Sequence, residues 1–156
     1  GPWGRPDMAL FKFTKAIIEE KTMDVYNNGN MYRDFTYIDD IVKSISLLIK
    51  VIPNNNKKIK LKKIDSISSV APFRVVNIGN SKKIKLLDFI KEIENVLGKK
   101  AICNYMPLQK GDVQKTLSNT NLLKKLTKTK PKINYKEGVR KFVEWYLEYY
   151  KVKFYK

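Results

Sequence analysis

Apolar residues recur at intervals of three and four positions in five stretches of the chain, and this spacing predicts five amphipathic helices. Asp7 and Asp39 stand where the first two helices begin, and a carboxylate there can accept hydrogen bonds from free backbone N–H groups. Gly98 is expected to end the third helix, and Asn134 with Glu137 resembles a capping box before the last one. The predicted helices cover 8–20, 39–52, 84–97, 118–126 and the segment after Asn134.

Four short runs between these helices predict β-strands, at 23–26, 32–37, 73–79 and 101–106. The asparagine- and glycine-rich residues 27–30 predict a hairpin turn between the first two strands. Strands that alternate with helices indicate an α/β fold. The run at 73–79 has the composition of a buried strand and requires pairing partners on both sides, which so few strands do not supply. We therefore expect a mixed α/β fold with an incomplete sheet, as in one part of a larger enzyme.

The length of 156 residues is that of one ordinary domain, and a hydrophobic content of 43% excludes disorder over most of it. The stretch 54–71 is rich in lysine, asparagine and serine, which predicts a mobile surface insertion. No apolar run approaches the roughly 20 residues that cross a bilayer, so no membrane association is expected. The lone Cys103 fits a cytoplasmic location and is expected to be a small, half-buried apolar residue.

The net charge of +17 arises from 32 lysines and arginines against 15 acidic residues. Such a charge attracts polyanions, and nucleic acid is the first candidate. The excess is mostly lysine and is spread along the whole chain, whereas a groove-reading protein concentrates arginine on one element. We therefore interpret the charge mainly as a solvated surface, and keep a basic binding module as an alternative.

The sequence contains few residues for catalysis. Histidine is absent, which excludes the usual triads, histidine bases and common zinc sites, and no metal site is predicted. Neither of the common glycine-rich phosphate-binding loops is present. What remains are three polar loops, carrying Arg5, Arg33, and the pair Gln109 and Asp112. Arginine in a tight turn suits the bidentate recognition of phosphate or carboxylate, although a local salt bridge explains each loop alone.

Taken in order, these loops and their neighbours closely resemble the NAD-dependent epimerase/dehydratase family, the extended short-chain dehydrogenases that act on nucleotide sugars. Within that family, the first and last motifs resemble UDP-glucuronate 4-epimerases. The resemblance covers nearly all of the chain and is weakest at 54–71. The motifs are Gly-Pro-Trp-Gly-Arg-Pro-Asp-Met at 1–8, Asp-Val-Tyr-Asn-Asn-Gly at 24–29, Arg-Asp-Phe-Thr-Tyr-Ile-Asp-Asp-Ile-Val at 33–42, Val-Val-Asn-Ile-Gly-Asn-Ser at 75–81, Gly-Asp-Val at 111–113 and Gly-Val-x-x-Phe-Val-x-Trp-Tyr at 138–146.

The resemblance implies a substrate-binding role for five residues. Arg33 would contact the substrate diphosphate, and Tyr26 would lie beside the uracil ring. Arg5 would lie near the sugar carboxylate. Gln109 and Asp112 would belong to the loop that closes over the nucleotide, with an arginine standing at the position of Gln109 in galactose epimerases.

The family resemblance also implies NAD as the cofactor of the full-length enzyme, which takes a hydride from sugar C4 and returns it to the opposite face. The nucleotide-binding glycines and the Tyr-x-x-x-Lys base are expected to precede Gly1, so we assign no catalytic residue to this chain. We expect the chain alone to be the UDP-sugar-binding part of a 4-epimerase and to be inactive. The alternatives are an interaction module, a part of a UDP-glucuronate decarboxylase or dTDP-glucose dehydratase, and a chain that self-associates or swaps domains through the strand at 73–79.

Overall fold

The computed structural model describes residues 1–53 and 65–152. Five helices and four short strands make up this part of the chain. The helices are α1 (Ala9–Ile18), α2 (Ile38–Ile49), α3 (Leu86–Leu97), α4 (Asn121–Thr127) and α5 (Tyr135–Tyr149). The strands are β1 (Thr22–Val25), β2 (Tyr32–Arg33), β3 (Ile84–Lys85) and β4 (Ile102–Tyr105). The predicted mixed α/β fold with incomplete sheets is confirmed.

The core lies where α1, α3 and α5 pack together and against β1. Phe142 and Val143 of α5, Ile93 of α3 and Val25 of β1 are fully buried, and Ile17 of α1 is nearly so. Those in helices lie on the apolar stripe of their own helix, which is why the helical spacing identified these helices correctly. The ring of Phe11 packs edge-on against Phe142 with centroids 4.8 Å apart, an arrangement that aromatic side chains prefer.

The predicted hairpin is wrong. β1 pairs in parallel with β4, with Thr22 opposite Ile102, while β2 pairs antiparallel with β3, with Arg33 opposite Ile84. Residues between β1 and β2 form a 3₁₀ turn at Tyr26–Gly29 in which Asn27 has a φ of 52°. The turn moves β2 away from β1 because both strands find their partners farther along the chain. The predicted strand at 32–37 is correspondingly cut to two residues.

Two predicted helix caps are also wrong, for different reasons. Met8 is the N-cap residue of α1, and the carboxylate of Asp7 is instead held by the guanidinium of Arg5 at 2.6 Å. α2 begins at Ile38, so Asp39 lies within its first turn. Its negative charge still interacts favourably with the helix dipole there. The other two caps are confirmed. Gly98 ends α3 in the left-handed region, and the side chain of Asn134 accepts a hydrogen bond from the backbone of Glu137.

The run at 73–79 forms no paired strand in the described residues. The predicted mobile insertion at 54–71 is largely untested, since 54–64 lie outside the described residues. At the described end of that stretch, Asp65 pairs with Arg74 at 2.8 Å, and both side chains are buried. Cys103 is half-buried, and burial raises the pKa of its thiol. No helix within 1–53 or 65–152 is long and apolar enough to cross a membrane.

Candidate functional site

Arg33 lies at the end of β2, where two distant segments fix its backbone. The β2–β3 pairing holds it opposite Ile84. On the other side, the N–H of Tyr32 donates to the carbonyl of Gln114 at 2.9 Å, and the N–H of Thr116 donates to the carbonyl of Tyr32 at 3.1 Å. The short strand therefore lies between β3 and the 112–116 loop, which gives the arginine a rigid base.

The guanidinium of Arg33 faces that loop. Nη2 donates to the carboxylate of Asp112 at 2.9 Å, and Nη1 donates to the carbonyls of Tyr32 at 3.0 Å and Gln114 at 3.3 Å. A guanidinium has five N–H donors. Nε has no acceptor in the part of the chain that the structure describes, and the side chain keeps 28% of its surface exposed. Arg33 is thus positioned by protein groups and still retains donors for a ligand.

Asp34, the next residue, connects two distant loops. Its carboxylate accepts hydrogen bonds from the backbone N–H groups of Asn80 at 3.2 Å, Ser81 at 3.0 Å and Ser118 at 3.1 Å. A Cβ atom at Gly79 would collide with Ser118 and lie 2.9 Å from Asp34 Oδ2, so only glycine allows this close approach. The carboxylate therefore holds the loops around 80 and 118 together beside Arg33.

Asp112 and Gln109 share one tight turn. The N–H of Asp112 donates to the carbonyl of Gln109 at 3.1 Å, and Gly111 has a φ of 87°, a conformation that favours glycine. Asp112 Oδ1 also accepts the N–H of Val113 at 2.7 Å, which orients the carboxylate toward Arg33. The side chain of Gln109 is exposed and makes no hydrogen bond among the described residues.

Tyr26 lies where β1 ends and the 3₁₀ turn begins, and it is half-buried. The N–H of Met106, just after β4, donates to the carbonyl of Val25 at 3.0 Å, and the N–H of Asn28 donates to the carbonyl of Met106. Since β1 and β4 are parallel, their carboxyl ends lie at the same edge. Tyr26 therefore lies at the edge from which the loop carrying Gln109 and Asp112 starts.

Arg5 is not joined to this group. It pairs with Asp7 through two hydrogen bonds of 3.1 and 2.6 Å, and its side chain is 76% exposed. The hydrogen bond from Arg5 lowers the pKa of Asp7 below its ordinary value. The structure places Arg5 in the turn before α1. It brings Arg33 and Asp112 into direct contact, and Tyr26 lies where the loop carrying Asp112 starts. Arg5 makes no contact with the Arg33 guanidinium.

A separate apolar cavity of about 210 Å³ lies between α1, α5 and the segment before α2. Its lining includes Leu10, Phe35, Tyr37, Tyr135 and Val139. Such a lining suits an apolar group and not a diphosphate, which requires charged or backbone N–H donors. Among the described residues, no group of three or more carboxylate or thiol side chains is arranged to hold a metal ion.

The sequence analysis placed Asp34 only within the motif at 33–42 and missed that its carboxylate joins two distant loops. The carboxylate reaches 46 residues along the chain to Asn80 and 84 residues to Ser118, distances over which no local pattern operates. The available signal was its place directly after Arg33 in the motif at 33–42.

Residues 1–61 match the model of the NAD dependent epimerase/dehydratase family. The chain is 55% identical over 151 residues to Protein CapI of Staphylococcus aureus, and 47% identical over 152 residues to a probable UDP-glucuronate 4-epimerase of Rhizobium meliloti. Both matches cover 97% of this chain and 45% of the relative. The chain therefore spans under half the length of these curated relatives.

The fold is similar to that of a solved UDP-glucuronic acid 4-epimerase from Bacillus cereus, crystallised with UDP-glucuronic acid and NAD. The TM-score is 0.77 at 26% sequence identity, over 96% of this chain and 43% of that one. The family model, the relative from Rhizobium meliloti and the solved structure are consistent with one another, and the family resemblance of the sequence motifs is confirmed.

Proposed function

We propose that this chain belongs to the NAD-dependent epimerase/dehydratase family and is the UDP-sugar-binding part of an enzyme that interconverts UDP-glucuronate and UDP-galacturonate. The similarity to a UDP-glucuronic acid 4-epimerase supports this substrate class, and that match covers less than half of the relative. The activity and substrate of the whole protein are therefore part of the proposal.

The observation that carries the proposal is the arrangement of Arg33. Its guanidinium is held by Asp112 and two backbone carbonyls while Nε remains free of protein acceptors in the described residues. A planar cation of this kind binds the oxygens of a diphosphate in a bidentate manner. The rigid base reduces the conformational entropy lost on binding, so the site is prepared for an anion before it arrives.

Other residues complete the proposed site. Tyr26 would contact the uracil ring from the edge shared by β1 and β4. Asp112 and Gln109 would belong to the loop over the nucleotide, with Asp112 orienting Arg33. Arg5 would meet the sugar carboxylate, which requires that the guanidinium exchange Asp7 for the ligand. That exchange is feasible because an ion pair between exposed side chains is weak in water.

The described residues do not fit NAD. A dinucleotide site needs a strand, a glycine-rich turn and a helix whose N-terminus faces the pyrophosphate. Here β1 leads into a 3₁₀ turn and β4 leads into a long polar loop, so neither parallel strand enters a helix through such a turn. We therefore assign no step of hydride transfer to this chain and limit its role to binding and orienting the nucleotide sugar.

Replacing Arg33 with alanine is expected to weaken UDP binding about tenfold, which corresponds to about 1.4 kcal/mol. Arg33→Lys keeps the positive charge but loses the planar pair of N–H donors that can bind two oxygens at once. Its UDP affinity is therefore expected to lie between those of the original chain and Arg33→Ala. Isothermal titration of the chain with UDP and with UDP-glucuronate would measure both. Arg140→Ala removes an equal charge from an exposed face of α5 and serves as the control.

Equal losses in Arg33→Ala and Arg140→Ala would contradict the site. They would favour the alternative that the net charge of +17 attracts any polyanion without a defined pocket.

The purified chain mixed with UDP-glucuronate and NAD⁺ is expected to form no UDP-galacturonate, since it offers no fitting dinucleotide site in the described residues. The measurement is chromatographic separation of the two sugars after prolonged incubation. Turnover above the rate of a blank without protein, lost in Arg33→Ala, would overturn the prediction of inactivity while supporting the substrate.

A further inference from the structure

A groove of about 520 Å³ lies between α1 and the C-terminal end of α5. Its volume falls within the range of roughly 300–1,000 Å³ that small-molecule sites occupy. None of the residues assigned to the UDP-sugar site lines this groove, and it shares no lining residue with the apolar cavity described above. The function proposed above therefore leaves the groove unused.

Part of the lining of the groove is aromatic. Phe11 of α1 and Tyr146 of α5 are each 7% exposed, and their ring centroids lie 5.9 Å apart. Tyr150 follows at the end of α5, with its ring centroid 4.5 Å from that of Tyr146, and it is 49% exposed. The two inner rings are thus held by the core, while the ring of Tyr150 remains open to a ligand. An exposed ring next to fixed aromatic neighbours suits a flat partner, which can stack on it.

The residues directly after α5 form another part of the lining. Lys151 has a φ of 52°, and the N–H of Val152 donates to the carbonyl of Leu147 at 3.0 Å. This turn directs the chain back, and Val152 lines the groove together with Ile18 of α1. Both of these apolar side chains are half-buried. A hydrogen-bonded helix end therefore fixes this part of the wall.

The rim of the groove carries a net positive charge. Lys12 and Lys15 both line it, and they lie three positions apart on α1, so their side chains share one face of the helix. Among the described residues that line the groove, Glu19 is the only carboxylate. It already pairs with Lys21 at 2.9 Å and with Lys15 at 3.9 Å, whereas Lys12 forms no ion pair in the part of the chain that the structure describes. Three ammonium groups thus surround one carboxylate, and a bound anion would be attracted to them.

We propose that this groove binds a small organic anion in which a flat aromatic ring carries a carboxylate or a phosphate group. The ring would stack on Tyr150, and the acid group would pair with Lys12 and Lys15. The inference is independent of the UDP-sugar assignment, because the two sites share no residue.

The lining favours a ligand that carries both chemical groups. An inorganic anion would contact only the exposed lysines, and ion pairs of that kind are weak in water and screened by salt. A neutral ring would contact the aromatic lining and leave both ammonium groups without a partner. A ligand with a ring and an acid group uses both parts of the groove at once.

Isothermal titration with matched probes tests the ligand class. The first probe, 2-naphthoate, has both the ring and the acid group; 2-naphthamide has the same ring without charge, and cyclohexanecarboxylate has the charge without an aromatic ring. We expect 2-naphthoate to bind one-to-one and each of the other two to bind about fivefold more weakly, since each lacks one of the two interactions. A titration with adenosine 5′-monophosphate distinguishes phosphate from carboxylate as the preferred acid group. An excess of UDP is expected not to displace 2-naphthoate, because UDP would bind at Arg33.

Two pairs of variants locate the ring and the acid group. Tyr150→Ala is expected to weaken 2-naphthoate binding about tenfold through the loss of stacking. Tyr149→Ala is its control, because Tyr149 is 50% exposed and does not line the groove. Lys12→Gln is expected to weaken the binding of 2-naphthoate and to leave that of 2-naphthamide unchanged. Lys91→Gln, at an exposed position of α3, is the control for the lost charge.

Equal affinities for 2-naphthoate and 2-naphthamide would overturn the proposal, since the lysines would then have no role. Displacement of 2-naphthoate by UDP would also overturn it, because both ligands would then occupy the Arg33 site. The same conclusion would follow if neither 2-naphthoate nor adenosine 5′-monophosphate gave saturable binding. Saturation by adenosine 5′-monophosphate alone, weakened in Tyr150→Ala, would support the groove with phosphate as the acid group.

Discussion

Replacing Asp40 with alanine is expected to lower the free energy of unfolding by about 3 kcal/mol, because buried hydrogen bonds to a charged acceptor contribute about 1.5–3 kcal/mol each. The Asp40 carboxylate is buried and accepts the backbone N–H groups of Lys132 and Ile133, both at 2.8 Å. Without it, two donors in the segment before α5 lose their acceptor. Chemical denaturation measures the loss, which corresponds to a fall of about 10 °C in the melting temperature.

Asp39 provides a matched control for this prediction. It lies next to Asp40 in the same first turn of α2 and carries the same charge, but it is exposed. Asp39→Ala is expected to cost well under 1 kcal/mol, mainly through the helix dipole. Equal effects of the two substitutions would mean that charge at the helix start, and not the two hydrogen bonds, supplies the stability.

Asp34→Ala is expected to lower the free energy of unfolding by about 2–4 kcal/mol and also to weaken UDP binding, since it removes the acceptor of several backbone donors. The loops around 80 and 118 would separate, and the backbone that positions Arg33 would become less rigid. Denaturation gives the first effect, and titration with UDP at a temperature where the variant remains folded gives the second.

The control for Asp34 is Asp88→Ala, which removes an exposed carboxylate from the first turn of α3. It is expected to leave UDP affinity unchanged. If Asp34→Ala destabilised the fold but kept full UDP affinity, the carboxylate would be structural only, and Asp112 with the two backbone carbonyls would suffice to position Arg33.

The sequence predicted most of the helices because their determinants are local. The apolar stripes of α1, α3 and α5 face the core as expected, and Gly98 and Asn134 act as caps at the predicted places. Asp7 failed as a cap because a cation two residues away competes for its carboxylate. Local patterns therefore fail where a neighbouring side chain offers a stronger partner.

The candidate site was predicted in part. Arg33 and Asp112 were both identified from their motifs, and the structure joins them across 79 residues of sequence. Tyr26 lies at the base of the same loop, whereas Arg5 remains apart from Arg33 and bound to Asp7. The substrate-binding roles of all five predicted residues, Gln109 included, stay predictions for the binding experiments.

By itself, the sequence determined the buried faces of α1, α3 and α5, the α/β class and the family resemblance, because each depends on residues close together in the chain. Only the tertiary structure decided that β1 pairs with β4 and that Asp34 and Asp40 each hold a distant segment. A backbone N–H carries no sequence signature, so its acceptor is settled by whichever segment the packing brings within hydrogen-bond distance. The same holds for the run at 73–79, whose strand-like composition is local but which forms no paired strand in the described residues.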